Sequence, residues 1–174
     1  MKWLFRIIAL VLLVFIGLCV AGAFLPSSQR VDRTITLPVD AEDIYSMISD
    51  LRSYPEWSGI GGPDSDWVFG NAEIGVGQSA AWQVQDDNNH QFGSLEILQL
   101  EVNEYVRIQT VGPLGEYTIT LAINETTQET AFLLQAERDL GGFPYFGRIA
   151  ALSQKSKTAA ALDRAAQGMA NLFR

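Results

Sequence analysis

Outside its first 25 residues this chain has no cysteine, and in all its length it has one histidine and two-thirds again as many acidic as basic residues. Each scarcity excludes a chemistry. The single thiol, Cys19, lies inside an apolar run, so no intrachain disulfide can form and no zinc site can rest on thiolates. His90 stands in a polar turn, where neither a Ser-His-Asp arrangement nor histidine proton shuttling finds a pocket, and a histidine metal site lacks partners. Asp86-Asp87 is followed by no loop of spaced oxygen ligands, so it reads as a turn rather than a calcium site. Lys and Arg number 12 against 20 Asp and Glu. With Lys2 and Arg6 set aside, ten basic groups face twenty acidic ones, a surface that repels nucleic-acid phosphates and anionic headgroups. Gly75–Ala80 matches G-x-G-x-x-A by letter, yet an alternating strand pattern follows where the dinucleotide fingerprint needs a helix. No cofactor, metal or catalytic residue is expected, and no nucleic-acid partner.

What the chain does have is a long apolar run. Ile7–Leu25 carries no charge, and as a helix it would span about 28 Å, close to the hydrocarbon thickness of a bilayer. Lys2 and Arg6 flank it on one side only, which predicts a cytoplasmic N-terminus and a domain on the periplasmic or extracellular side. A cleaved signal peptide is the competing reading, since Ala21-Gly22-Ala23 fits the small-x-small pattern; the length of the run favours an anchor. Residues 1–26 are therefore read as a transmembrane anchor with its flank. Residues 27–174 are read as one domain with one core.

That domain opens with a compact unit. Val31, Arg33, Ile35 and Leu37 alternate with polar residues, and Pro38 ends the strand. Asp40 stands at an N-cap position, with Glu42 and Asp43 in the first turn. Ile44, Met47, Ile48 and Leu51 form one buried stripe, Pro55 starts a second short helix, and Trp57 closes it. This opening resembles that of the SRPBCC proteins, the START-like superfamily that includes polyketide cyclase/dehydrase-like and lipid-transfer domains. The likeness continues through Gly75-Val76-Gly77, the strand around Trp82, the Gly93–Ile97 strand, the strands from Asn103 onward and a long C-terminal helix. It departs at Trp57-Ser58-Gly59, where members often read Trp-Ser-Pro, and this leaves the shape of the next loop open. The resemblance implies an α+β helix-grip fold: a curved antiparallel sheet around a long C-terminal helix, with an apolar cavity between them.

The rest of the chain reads as a meander. Alternation through Ala80, Trp82 and Val84, then Leu95 and Ile97, Val106 and Ile108, Tyr117 to Ile123, and Phe132 to Ala136 predicts successive strands with one buried face. Trp67–Phe69 predicts a short strand, and Asp86–Asn89 and Gly112-Pro113 predict turns. From about Tyr145 to Phe173 a helical stripe runs through Leu152, Ser156, Ala159, Leu162, Ala166, Met169 and Phe173. Its small middle residues allow either close approach to the sheet or a cavity, and the resemblance favours the cavity. Gly168 costs about 1 kcal/mol of helix propensity and predicts soft last turns.

A small hydrophobic molecule or lipid is the expected partner, bound without catalysis, with the membrane engaged through the N-terminal helix. The candidate pocket lining is Trp57, Trp82, Tyr117, Phe132, Tyr145 and Met169, with Arg33 as either a ligand-orienting cation or a solvated edge residue. A cyclase- or hydrolase-like enzyme using Glu96, Arg33 or Tyr117, and a protein-interaction module, are the alternatives. Gly141–Pro144 is either a hinge at a pocket mouth or an ordinary connector.

Overall fold

The computed structural model describes residues 2–62, 64–70, 73–86, 89–125, 129–141 and 146–174, the side chains of 85, 86, 89, 146, 147 and 150 excepted. The first helix, α1 (Lys2–Ala23), has a mean hydropathy of 2.9 over its most apolar stretch and is long and apolar enough to cross a membrane. Most of its surface is open, Trp3, Phe5 and Leu13 each exposing more than 70 %, while its C-terminal end, with Gly22 buried, meets α4.

After Leu25 the chain enters β1 (Ser28–Leu37), three residues earlier than the alternation predicts. Two short helices follow, α2 (Ala41–Ile48) and α3 (Tyr54–Trp57), joined by a 3₁₀ turn at Leu51–Ser53. Asp40 is the N-cap of α2 in an extended conformation, but its side chain makes no capping bond. Asp50 supplies the tie instead, accepting from the Arg52 amide at 3.0 Å and from Gln78 Nε2 at 2.6 Å, while Gln78 Oε1 accepts from the Leu51 amide. That buried glutamine fastens the helical pair to the sheet.

Six further strands complete the meander: β2 (Asp66–Phe69), β3 (Ser79–Asp86), β4 (Asn89–Glu101), β5 (Tyr105–Gly112), β6 (Gly115–Glu125) and β7 (Thr130–Asp139). They form one antiparallel sheet in the order β1-β7-β6-β5-β4-β3-β2, with a register shift in β4 between Ile97 and Gln99. The 27-residue α4 (Phe146–Leu172) lies across its inner face, so the α+β helix-grip architecture holds. The core joins the two layers: Leu37, Leu95, Ile97, Val106, Ile108, Leu121, Phe132 and Leu134 from the sheet meet Leu162, Ala166 and Met169 from the helix.

The inward stripe of α4 departs from expectation in its first half. Leu152 and Ser156 point outward, Leu152 with 62 % of its surface exposed, and Ala151 and Thr158 are the buried residues. In a segment of Ala, Ser, Thr and Lys the apolar periodicity is too weak to fix the phase, and the register with the sheet decides it. Gly168 also has a different meaning from local softness. A Cβ there would overlap the Trp57 carbonyl oxygen and lie 2.8 Å from its carbon, so the glycine allows α4 to close directly onto α3.

Tyr54 anchors α3 and carries a pH dependence. Its ring is buried, its hydroxyl donates to the Ile48 carbonyl at 2.8 Å, and burial, with a smaller contribution from Asp50, pushes the phenol well above its ordinary 10.0. The folded state thus keeps a proton that the unfolded chain sheds above that pH, so stability is full below it and falls as pH rises beyond it. Urea titrations of the wild type are expected to steepen in pH dependence above pH 10, and Tyr54→Phe is expected to flatten that limb. An unchanged limb in the variant would assign the effect elsewhere.

Candidate functional site

The inner face of the sheet is largely apolar, and one row across it is polar. Antiparallel register sets Gln29 of β1 opposite Arg138 of β7. The next pair, Glu137 with Thr118, brings Arg138 beside Tyr117 of β6, and the guanidinium lies 5.5 Å above the Tyr117 ring. Three neighbouring strands therefore present amide, guanidinium and phenol side by side. From α4, Gln154 and Thr158 come down onto them. Arg138 Nη1 donates to Gln154 Oε1 at 2.6 Å and to the Leu114 carbonyl at 3.0 Å. Tyr117 and Thr158 share a hydroxyl pair at 3.0 Å, and because Thr158 donates to the Gln154 carbonyl, the Tyr117 hydroxyl is the donor between them.

Two members of this region are unsatisfied. Gln29 is 8 % exposed, yet among the described residues neither its Oε1 nor its Nε2 has a hydrogen-bond partner, and the indole Nε1 of Trp82, 7 % exposed, has none there either. A buried polar group left unpaired costs about 1–3 kcal/mol, so such atoms are rare without a purpose. Among the described residues no carboxylate pairs with Arg138.

Glycines shape the floor beside the row. Gly112 and Gly115 are paired across the β5–β6 hairpin, and a Cβ on Gly115, at φ +105°, would lie 2.8 Å from the Arg138 Cζ. A Cβ on Gly93 would lie 2.7 Å from the Trp82 ring, which also reaches over Gly112. Bare backbone thus lets the indole and the guanidinium lie flat against adjoining stretches of the sheet.

The predicted lining residues separate into groups. Tyr117 and Trp82 belong to the region just described. Trp57, Phe132 and Met169 sit deeper, where Trp57 meets Phe132 edge-on at 6.3 Å and Tyr54 at 4.8 Å, and Phe132 and Met169 are wholly buried. Arg33 does lie on the inner-face register, but at the open edge of the sheet. Its guanidinium binds Asp163 of α4, and this hydrogen bond raises its pKa further. It clamps helix to sheet, so the reading of Arg33 as a cation projecting inward to orient a ligand gives way to the edge reading. Tyr145 and the Gly142–Pro144 stretch lie outside the described residues. Glu96 stands on the outer face, paired with Ser79 and Gln109.

The outer face has its own relief. Val68, Ala81, Ser94 and Val111 align across β2 to β5, and the small residues between the two valines leave shallow hollows of about 490 and 620 Å³. Phe92, 77 % exposed, rims the larger one.

Gln29, Arg138 and Thr158 were not among the sequence candidates. Parity could have found two of them: Gln29 continues the phase of Val31 to Leu37, and Arg138 that of Phe132 to Ala136.

No family model matches the chain, and no curated protein does. Solved structures do. The ginseng (Panax ginseng) major latex-like protein 151 superposes with a TM-score of 0.60 at 11 % identity, over 86 % of this chain and 99 % of that one. DynU16, a protein of the dynemicin biosynthetic locus, gives 0.55 at 15 % identity, over 84 % of this chain but 46 % of its own, so this chain spans less than half of that protein. Ara h 8.0201 gives 0.54 at 11 %, over 82 % of this chain and 98 % of that one. At these identities the likeness establishes the fold, with no activity attached to it.

Proposed function

We propose that residues 27–174 form a START-like domain that binds a small hydrophobic molecule or lipid between α4 and the sheet, without chemistry of its own, held at the membrane by α1. The observation that carries this reading is the pair of buried polar side chains, Gln29 and Trp82, that have no hydrogen-bond partner among the described residues and border a largely apolar core. Binding sites of this kind combine apolar walls with a few placed polar groups. Small inward residues on α4, Ala151, Thr158, Ala159 and Ala165, keep side-chain bulk low on the helix wall. The enzymatic alternative is weakened by Glu96, whose outer-face position removes it from the interior. α1 supports the tether, with the N-terminus on the cytoplasmic side by the charge argument above.

The test is native mass spectrometry of the full chain extracted in mild detergent. A co-purifying mass of a few hundred daltons, released on denaturation, is the expected result. Bare protein, before and after incubation with membrane lipid extract, would remove the binding reading. A second reading, an interaction module, is favoured by the exposed Val68, Phe92 and Val111 of the outer face. Phe92→Ser separates the two: ligand retention is expected to be unchanged, while loss of a co-purifying protein with retention of none of the small mass would favour the module.

A further inference from the structure

Resting on that binding reading, we infer that the Gln29–Arg138–Tyr117 row seats the carboxylate head of a single-chain amphiphile, with its tail running along the apolar inner face. The head group is identified by what the row offers. Arg138 presents a forked cation whose Nη1 is committed to two neutral oxygens, and no described carboxylate neutralises it. Glu137 and Asp139, its chain neighbours, have the opposite parity and are exposed, and Asp139 accepts from the Gly141 amide. Next to Arg138 in register lies the buried Gln29 amide with Nε2 unspent. A guanidinium and an amide N–H side by side match a carboxylate, which takes two or more donors in one plane. Tyr117 and Thr158, locked to each other, fix the ring beneath the guanidinium and keep the fork in place.

Charge around the row points the same way. Of the ten basic residues outside α1, Arg30, Arg138, Arg148, Lys155 and Lys157 lie on the start of β1, the end of β7 and the first half of α4. No acidic residue occurs in α4 before Asp163. Against these five basic residues the same strand ends carry Glu116, Glu137 and Asp139, so a domain that is acidic overall loses its acidic excess at this end. This end also adjoins the membrane helix: Arg148 donates to the Leu25 carbonyl, and the Leu140 amide to that of Ser27. An anionic amphiphile leaving the bilayer meets positive potential first.

The experiment uses the full chain in nanodiscs of uncharged phosphatidylcholine, with empty discs as background. The probe is labelled hexadecanoate, and its methyl ester and a lysophosphatidic acid of equal chain length compete. Hexadecanoate is expected to bind roughly tenfold or more tightly than the ester, the scale of a charge-assisted bond. Arg138→Met is expected to erase that preference while ester binding stays constant, and Arg138→Lys to restore part of it. Gln29→Leu is expected to weaken hexadecanoate several-fold and to raise the melting temperature of the ligand-free protein, because it removes an unsatisfied amide. That paired response also guards against a variant that merely fails to fold. Equal affinity for acid and ester, indifferent to both substitutions, overturns the head-group assignment and leaves apolar binding standing. Preference for lysophosphatidic acid overturns the carboxylate in favour of a phosphate. If neither acid nor ester binds, the inference falls, and the membrane-extract experiment decides whether the binding reading falls with it.

Discussion

Gly168→Ala is expected to destabilise the domain by about 2–3 kcal/mol, although alanine is the better helix former. Propensity alone predicts a gain of about 1 kcal/mol at a helix interior position. The added Cβ, however, would overlap the Trp57 carbonyl oxygen and crowd its carbon at 2.8 Å. Both partners are backbone, so no rotamer change relieves the contact, and either α4 lifts or α3 shifts. Overpacking costs about 1–3 kcal/mol and at times more, and with backbone on both sides of the contact a cost of about 3–4 kcal/mol, less the propensity gain, leaves the net loss stated. For a chain of this size that corresponds to a fall of roughly 5–10 °C in melting temperature. Gln167→Ala, on the exposed neighbour, is the control and is expected to change little. An increase in stability for Gly168→Ala would show that the approach of α4 to α3 is looser than described.

That position also shows where the sequence could be read and where it could not. Strands were legible because their signal is local: a period of two through Tyr117, Ile119, Leu121 and Ile123 needs no knowledge of what packs on top. The α2–α3 opening was legible for the same reason, since Ile44, Ile48 and Leu51 are bulky and the caps are specific residue types. α4 was half legible. Leu162, Ala166 and Met169 fall on the predicted stripe, but Leu152 and Ser156 do not, because small side chains carry too little apolar contrast to set the helix phase. Gly168 looked like a weak point because propensity counts the cost of glycine and not what approaches it.

The polar row was hidden by a different cause. Gln29 lies before Val31, where the predicted alternation begins, and only the pairing of Ser28–Arg30 with β7 extends the strand that far. Tyr117 was chosen as an aromatic, whereas its place in the row comes from its hydroxyl and the cation above its ring. Arg33 had the right parity, and of its two readings the edge one agrees with its ion pair to Asp163. That it sits at a sheet edge opposite Asp163, 130 residues away, is a tertiary fact with no local signal. The glycines did carry a signal: Gly93, Gly112 and Gly115 occupy strand positions, where glycine marks the close approach of another group.

Phe132→Ala is expected to cost about 3–5 kcal/mol in the ligand-free protein, the range for truncating a fully buried aromatic. The reasoning separates core from pocket. Phe132 is wholly buried near the start of β7, opposite Ile35 and Ile123 in the adjoining strands, with the Trp57 ring set against it at 75°. Removing the ring strips Trp57 of its edge-on partner and opens a void beside Trp57, whose backbone already sits hard against α4 at Gly168. Neighbours held by backbone contact relax little into such a void, so the cavity cost adds to the lost transfer energy. A residue lining a ligand space behaves otherwise: one side of its ring has no protein partner, so truncation costs less in the free protein and chiefly weakens the ligand. Urea unfolding with and without hexadecanoate reads both quantities. A large loss of stability that the fatty acid does not restore places Phe132 in the core and leaves the row around Arg138 as the place where a guest is held. A loss below about 1 kcal/mol, with a marked fall in affinity, would move the site inward to the Trp57–Phe132–Met169 cluster.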